Sequence, residues 1–230
     1  MKKRLLTFEW IFGTLAVLTL CVCGWFFKSG WNVIACACFG IVGSVINGRG
    51  RKECYFFLLA SSLLYAFTAL SSKNYGESIL NFAYVSPMFF YSILRWYRPN
   101  KQQQKKDIFT LNRKTMLLLC AAMLLLGAAY GFVLRRLGSN LPFLNAASTM
   151  VAVAANYLSA RRMKEQWYAQ LISNAVLITL WLLTSLNNPG NLPLMVQNVL
   201  FVLSNLRGAV LWKKMSAEDA AQPGEMETTA

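Results

Sequence analysis

Long apolar runs separated by short polar links dominate the chain. A helix needs about 20 apolar residues to cross a bilayer. Eight runs approach that length, at 8–27, 30–47, 53–72, 77–97, 115–134, 141–160, 165–186 and 191–213. The pattern predicts an all-α polytopic membrane protein with eight transmembrane helices.

The links between these runs are short, with one exception. The links at 48–52 and 187–191 hold only charged, small or turn-forming residues, whereas the link around 98–114 is longer, strongly basic and rich in glutamine. The tail from 216 is acidic and made of small residues. We expect it to be disordered, because it offers too little apolar surface to bury.

Positive charge alternates from link to link and predicts the orientation. With the N-terminus inside, 18 of the 23 lysines and arginines lie on the cytoplasmic side and one, Arg207, lies in the last span. The opposite side has only Lys28, Lys73, Arg135 and Arg136. This bias follows the positive-inside rule. It predicts that both termini and the link at 98–114 are cytoplasmic and that 187–191 is outside.

Composition points to a lipid bilayer as the partner, and not to nucleic acid. The chain is 56% hydrophobic and 14% charged, against about a quarter charged in soluble domains. Its net charge of +14 lies in short loops and forms no basic face on a soluble fold. Basic loops facing an anionic cytoplasmic leaflet explain this excess. Trp10 and Trp25 bracket the first run as interfacial anchors, so we interpret it as a retained span.

Weak internal repetition relates spans 2–4 to spans 6–8. The middle helix of each triple opens with aromatic residues, and each triple closes with a small residue four positions before a tryptophan, Ser92 before Trp96 and Gly208 before Trp212. Because one span separates them, the triples run in the same direction, as in parallel-repeat transporters. Coincidence between two interface motifs is the alternative. The predicted units are an N-terminal helix (1–29), a first triple (30–97), a loop with a linker helix (98–140), a second triple (141–215) and the tail (216–230).

The sequence shows no pattern typical of a catalytic site or a metal site. The chain has no histidine, and its nine acidic residues lie in loops, the tail or the first turn of a span. The cysteine pairs at 21/23 and 36/38 are two residues apart, so on a helix their side chains diverge. We interpret the cysteines as small packing residues and predict no metal and no cofactor.

Neutral polar residues lie at depth within the spans. Because no acid or histidine lies at mid-depth, we do not expect ion coupling. Three sets share a helical face: Trp167, Gln170 and Asn174; Asn198 and Asn205; Asn81 and Tyr84. The polar residues at depth are Ser61, Ser62, Asn81, Asn156, Gln170, Asn174, Gln197, Asn198 and Asn205.

Two interpretations of these amides remain open. They can be hydrogen-bonding glue between helices, which membrane bundles commonly use. They can instead line a pathway for a polar solute. An aromatic beside amides suits a flat heterocycle bearing a sugar, and a tryptophan face can hold a ring cation. The candidate substrate-binding residues are Trp167, Gln170, Asn174, Asn198, Asn205, Asn81 and Tyr84.

Several motifs resemble the PnuC family of nicotinamide riboside transporters over about 30–215. In the second half the similar motifs are Leu-Pro-Phe at 141–143, Arg-Met-Lys-Glu-Gln-Trp at 162–167 followed by Asn174, and Arg-Gly-Ala-Val-Leu-Trp at 207–212. In the first half they are Tyr-Phe-Phe at 55–57, Tyr-Gly at 75–76 and the closing Trp96.

The resemblance implies a SWEET-like 3+1+3 fold with an extra N-terminal helix, trimeric assembly, and facilitated diffusion of a vitamin that a cytoplasmic kinase then traps. A bacterial inner membrane is the implied location. Three positions depart from the family pattern: Gln170 replaces a tryptophan, Ser92 a glycine, and Arg207 a neutral polar residue. Relatives with such changes carry thiamine or other heterocyclic vitamins. That substrate class is one alternative, and a non-transporting membrane subunit or assembly factor is another.

Overall fold

The computed structural model describes residues 2–47, 53–97, 112–160, 163 and 165–221. Its regular elements are helical throughout these ranges. A π turn, Asn81–Val85, joins the fourth and fifth helices, and a short 3₁₀ turn, Pro189–Asn191, precedes the last. The helices are α1 (Lys2–Phe26), α2 (Trp31–Asn47), α3 (Cys54–Ser71), α4 (Tyr75–Leu80), α5 (Ser86–Tyr97), α6 (Arg113–Arg136), α7 (Pro142–Ala160), α8 (Gln166–Asn187) and α9 (Leu192–Ala221).

The helices follow the predicted apolar runs closely, with α4, the π turn and α5 forming the fourth. The largest difference is at the C-terminus, where α9 continues past the predicted end at 213 and past 216, where disorder was predicted. Alanine and glutamate at 217–221 are strong helix formers, which explains the extension. The links at 48–52 and 98–111 and the tail at 222–230 lie outside the described residues.

The fourth span is interrupted in its middle. The π turn Asn81–Val85 leads directly into Ser86 and Pro87. Proline has no backbone N–H to donate to the preceding turn, and π turns widen a helix by one residue and occur frequently at functional sites. The widened turn changes which side chains face the same way on either side of it.

Two triples of spans pack against each other. In the first, α3 contacts α2, α4 and α5, and in the second α8 contacts α7 and α9. Between the triples, α2 packs on α9 and α4 packs on α7, so the first span of each triple meets the last span of the other. Helix α1 packs on α2 and α9, and α6 packs on α7. The exact boundaries of the predicted units stay a prediction.

The surface around the sides of the helix bundle is apolar, most clearly on α6. Leu117, Leu118, Leu124 and Leu125 on α6 are each 69–76% exposed. An exposed apolar face of this kind is stable in the hydrocarbon core of a bilayer, whereas in water it would promote aggregation. Three helices in the described ranges are long and apolar enough to cross a membrane, namely Cys54–Ser71, Lys114–Arg136 and Gln166–Asn187. Trp10–Phe26 and Trp31–Asn47 are apolar but shorter.

The six cysteines are all free thiols. Cys36 is fully buried and its thiol donates to the Ser61 carbonyl at 3.4 Å. The thiols of Cys21 and Cys38 lie 3.8 Å apart, between α1 and α2. These contacts agree with their interpretation as packing residues.

A layer of buried or half-buried amides and hydroxyls ties the helices together at the predicted outer end. We call it the outer polar layer; it consists of Ser72, Asn74, Asn145, Thr184 and Asn191. Asn74 donates to Thr184 at 3.2 Å and accepts from Asn145 at 3.1 Å, while Asn191 donates to Ser72 at 3.0 Å. These bonds link α7, α8 and the loops before α4 and α9.

Candidate functional site

A cavity of about 210 Å³ lies between the two triples. All six spans of the triples contribute residues to the cavity wall. None of the residues that line it lies on α1 or α6. This volume lies below the usual range for a ligand pocket, which is about 300–1,000 Å³. The cavity therefore suits a small solute.

Neutral polar side chains make up much of the cavity wall. Eight of the nine polar residues that the sequence places at depth line it, and Asn205 is the exception. Ser173 and the backbone of Gly40 add to this wall. The aromatic residues of the lining are Tyr65, Phe89 and Phe201.

Two of the amides have unmet hydrogen-bonding capacity. Asn174 is 5% exposed and its Nδ2 donates to no atom in the described part of the chain. Gln197 is 3% exposed, and its Oε1 likewise accepts no hydrogen bond there. Leaving buried polar groups unsatisfied costs about 1–3 kcal/mol each. The cavity therefore presents one amide donor and one amide acceptor with which the polar groups of a solute would bond.

The remaining polar residues divide into two kinds of contact. Asn81 and Asn198 donate to carbonyls one turn back in their own span, Glu77 at 2.9 Å and Leu194 at 2.8 Å. These two bonds run from the amide nitrogens to the backbone of the same span, so they do not bridge helices. Serines do: Ser62 bonds Ser86 at 2.8 Å. Interhelical glue is thus concentrated in the hydroxyls and in the outer polar layer.

Gly40 sets the position of the Gln197 amide. A Cβ atom on Gly40 would collide with Nε2 of Gln197 and would lie 3.0 Å from Oγ of Ser61. The absence of a side chain lets α9 approach α2 closely enough for Gln197 to lie against the α2 backbone.

A chain of polar contacts runs along the cavity wall nearest the outer polar layer. Nε1 of Trp181 on α8 donates to the Tyr65 hydroxyl on α3 at 2.6 Å. The Tyr65 hydroxyl also lies near the carboxylate of Glu77 on α4. Oγ of Ser148 on α7 donates to Oε1 of the same carboxylate at 2.5 Å. Four spans therefore meet at Glu77 and Tyr65, both of which line the cavity.

The structure brings four of the seven candidate residues to the cavity: Asn81, Gln170, Asn174 and Asn198. Trp167 is half-buried one turn before Gln170 and is not part of the lining. Asn205 lies two turns beyond Asn198 and is also outside it. Tyr84 is 38% exposed, because the π turn breaks the periodicity on which its shared face with Asn81 was predicted.

Glu77 is an acidic residue of the cavity wall. It does lie in the first turn of a span, as its position indicates, but it is 2% exposed and faces the cavity. Its place in a first turn agrees with the sequence analysis, whereas its burial was not expected. A first-turn acid normally reaches the interface. Here α4 packs closely on α7, so Glu77 is covered and bonds Ser148. Position in an apolar run could not reveal that cover.

A comparison with protein families decides the relationship of this chain to known proteins. The family model described as nicotinamide mononucleotide transporter matches residues 29–214. The chain belongs to the nicotinamide mononucleotide transporter family. The match omits α1 and the tail and includes both triples.

Two relatives of the family agree with this assignment. The nicotinamide riboside transporter PnuC of Neisseria mucosa is 28% identical over 203 residues, which are 86% of this chain and 77% of that protein. The crystal structure of a vitamin B3 transporter PnuC superposes with a TM-score of 0.74 at 28% identity, covering 92% of each chain. The predicted family and the all-α polytopic fold are confirmed, and this is a multi-pass membrane protein of a transporter family.

Proposed function

We propose that this protein carries nicotinamide riboside across a bacterial inner membrane by facilitated diffusion. The observation that supports this best is the unsatisfied pair, Nδ2 of Asn174 and Oε1 of Gln197, buried in one cavity between the triples. A ribose offers hydroxyls that both donate and accept, and a carboxamide offers both groups as well. The name of the Neisseria relative, nicotinamide riboside transporter, points to the same solute.

The charge of the cavity favours the riboside over the mononucleotide in the family's description. Among the lining residues none is a lysine or arginine, and one is an acid, Glu77. A phosphate monoester carries a charge of about −1.5 to −2 at neutral pH and needs cationic or clustered N–H donors. Placed in this cavity it would face a carboxylate and no counter-charge.

Aromatic residues on both sides of the cavity supply surfaces for the base. Tyr65 and Phe89 lie on the first triple and Phe201 on the second. Trp167 and the amides predicted from the sequence, Asn81, Gln170, Asn174 and Asn198, complete the proposed site. We place Trp167 at its edge, one turn from Gln170.

The runner-up is thiamine or another heterocyclic vitamin on the same fold. The observation that favours it is Gln170, which lines the cavity where the PnuC pattern has a tryptophan. An amide there exchanges a stacking surface for hydrogen-bonding capacity, and that exchange alters which heterocycle fits.

In this proposal, metabolism inside the cell drives net uptake, and the carrier itself does not. A uniporter only equilibrates its substrate, so a cytoplasmic kinase that phosphorylates the vitamin keeps the inward gradient. Both termini face the cytoplasm, and the working assembly is a homotrimer, as the family resemblance implies. The N-terminal helix α1 packs outside the triples and stabilises them without lining the cavity.

Uptake by cells lacking other vitamin transporters tests the proposal. Cells expressing this protein receive labelled nicotinamide riboside, nicotinamide mononucleotide or thiamine in parallel. We expect riboside uptake above that of the empty vector and no mononucleotide uptake. Thiamine uptake alone would establish the runner-up. Membrane insertion with no uptake of any of the three would favour a non-transporting subunit, in which the amides serve only packing.

A further inference from the structure

The buried carboxylate of Glu77 is not used by the function described so far. It is 2% exposed and lines the cavity. In the described ranges its carboxylate accepts a hydrogen bond from the neutral hydroxyl of Ser148 and lies near the neutral hydroxyl of Tyr65. None of the other lining residues carries a formal charge.

Close helix packing holds this carboxylate in position. Gly76 precedes it, and a Cβ there would lie 3.1 Å from both Cβ and the carbonyl oxygen of Asn145 on α7. Because Gly76 has no side chain, α4 approaches α7 closely enough for Ser148, one turn after Asn145, to reach Glu77. Tyr65 is fixed in turn by Trp181, which is fully buried. The acid is therefore built into the wall and is not a mobile surface group.

The energetics call for a cation beside it. Burying an ionised carboxylate is costly unless it is paired, and neutral hydroxyls compensate only part of that cost. Acids at membrane depth are rare and mark substrate or ion pathways. The position facing Glu77 is the cavity, so a cationic solute there would be the charged partner of this carboxylate.

We propose that Glu77 is the counter-charge for a positively charged aromatic ring in the substrate. This inference rests on the proposed function and narrows its ligand class to singly charged heterocyclic cations. The oxidised pyridinium ring of nicotinamide riboside belongs to that class, and so does the thiazolium ring of thiamine. Neutral nucleosides of the same size are excluded by charge, because they leave Glu77 unpaired.

Chemical reduction of the nicotinamide ring of the riboside gives a probe that differs from the substrate mainly in its charge. The oxidised pyridinium riboside is a cation, whereas its 1,4-dihydropyridine form is neutral with the same sugar and carboxamide. Calorimetric titration of the purified protein with both forms measures the preference. We expect the wild-type protein to bind the cation more tightly by roughly 10- to 150-fold, as for a charge-assisted contact.

The variant Glu77→Gln tests the assignment directly. Its side chain keeps an oxygen that accepts from Ser148, so the helices remain linked. We expect the affinity for the cation to fall to near that for the neutral form, whose own affinity changes by less than about twofold. The matched variant Asn174→Leu should weaken both forms alike, since an amide contact does not depend on ring charge.

Each outcome decides the matter. Equal losses for both forms in Glu77→Gln would overturn the counter-charge role and leave a structural one. Equal affinity of the wild-type protein for the two forms would overturn it as well, even if Glu77→Gln failed to fold. Binding of neither form by the wild-type protein would instead contradict the proposed function on which the inference rests.

Discussion

The hydroxyl of Tyr65 accepts a 2.6 Å hydrogen bond from Nε1 of Trp181, joining the middle helices of the two triples. Their rings also pack edge to face, with centroids 5.4 Å apart. Trp181 is fully buried, so its N–H has to find a partner within the protein. The pair forms a rigid connection between the halves of the bundle, directly beside the cavity.

Tyr65→Phe should therefore destabilise the protein. The change leaves Nε1 of Trp181 buried without an acceptor, at a cost of about 1–3 kcal/mol. Thermal unfolding in detergent should show a lower Tm. The matched change is Tyr91→Phe, at a side chain that is 63% exposed, and it should leave Tm unchanged. Equal Tm values for the two variants would show that the Tyr65–Trp181 bond contributes nothing to stability.

Gly40→Ala should weaken substrate binding through Gln197. The added methyl group collides with Nε2 of Gln197, and the amide has to move away from α2. Losing one neutral hydrogen bond costs about 0.5–1.5 kcal/mol, or roughly 2- to 12-fold in affinity. Gly13→Ala is the control, because a Cβ there meets Val45 at an ordinary 3.5 Å. Unaltered affinity in folded Gly40→Ala would remove Gln197 from the proposed site.

Trp167→Ala tests the edge of the site. Stacking of a base on an aromatic side chain is worth about 1–3 kcal/mol, so the affinity should fall roughly five- to 150-fold. Titration calorimetry on the folded variant measures this. If Trp167 only packs between helices, Tm falls while the affinity of the surviving protein stays at the wild-type value, and the residue leaves the site.

Transport should not be coupled to protons or sodium. No acid or histidine lies at mid-depth in the sequence, and the buried acid Glu77 lies in the first turn of its span. In our proposal Glu77 pairs with the substrate's own charge and is therefore not a site for a coupling ion. Proteoliposomes with an imposed proton or sodium gradient, and with the membrane potential clamped at zero, should only equilibrate labelled riboside. Sustained accumulation under the clamp, without a kinase inside, would establish coupling.

The spans and most of the cavity wall could be predicted from the sequence because both follow local rules. An apolar run of span length predicts a helix, and a neutral amide within it, such as Asn174 or Gln197, has to face protein and not lipid. Amides that face protein on neighbouring helices therefore meet at the cavity between those helices. The sequence therefore identified the polar wall without knowledge of the packing.

Other features depend on how distant segments meet and could not be predicted. Glu77 is buried where α4 packs on α7 and Ser148 reaches its carboxylate, and its own neighbours in sequence do not reveal that contact. Tyr84 was placed on the face of Asn81 by regular helical spacing, which the π turn before Pro87 breaks. Asn74 and Asn145 lie at span ends that resemble exposed caps, yet they are fully buried and bonded to each other.

The central claim is that the amides between the two triples bind the vitamin. The most direct test is calorimetric titration of nicotinamide riboside into Asn174→Leu and into the wild-type protein, after thermal unfolding has shown that both are folded. The account predicts saturable binding by the wild-type protein and an affinity roughly 2- to 12-fold lower, or weaker still, in the variant, since a ligand group is left unpaired. Wild-type affinity in Asn174→Leu would contradict the claim.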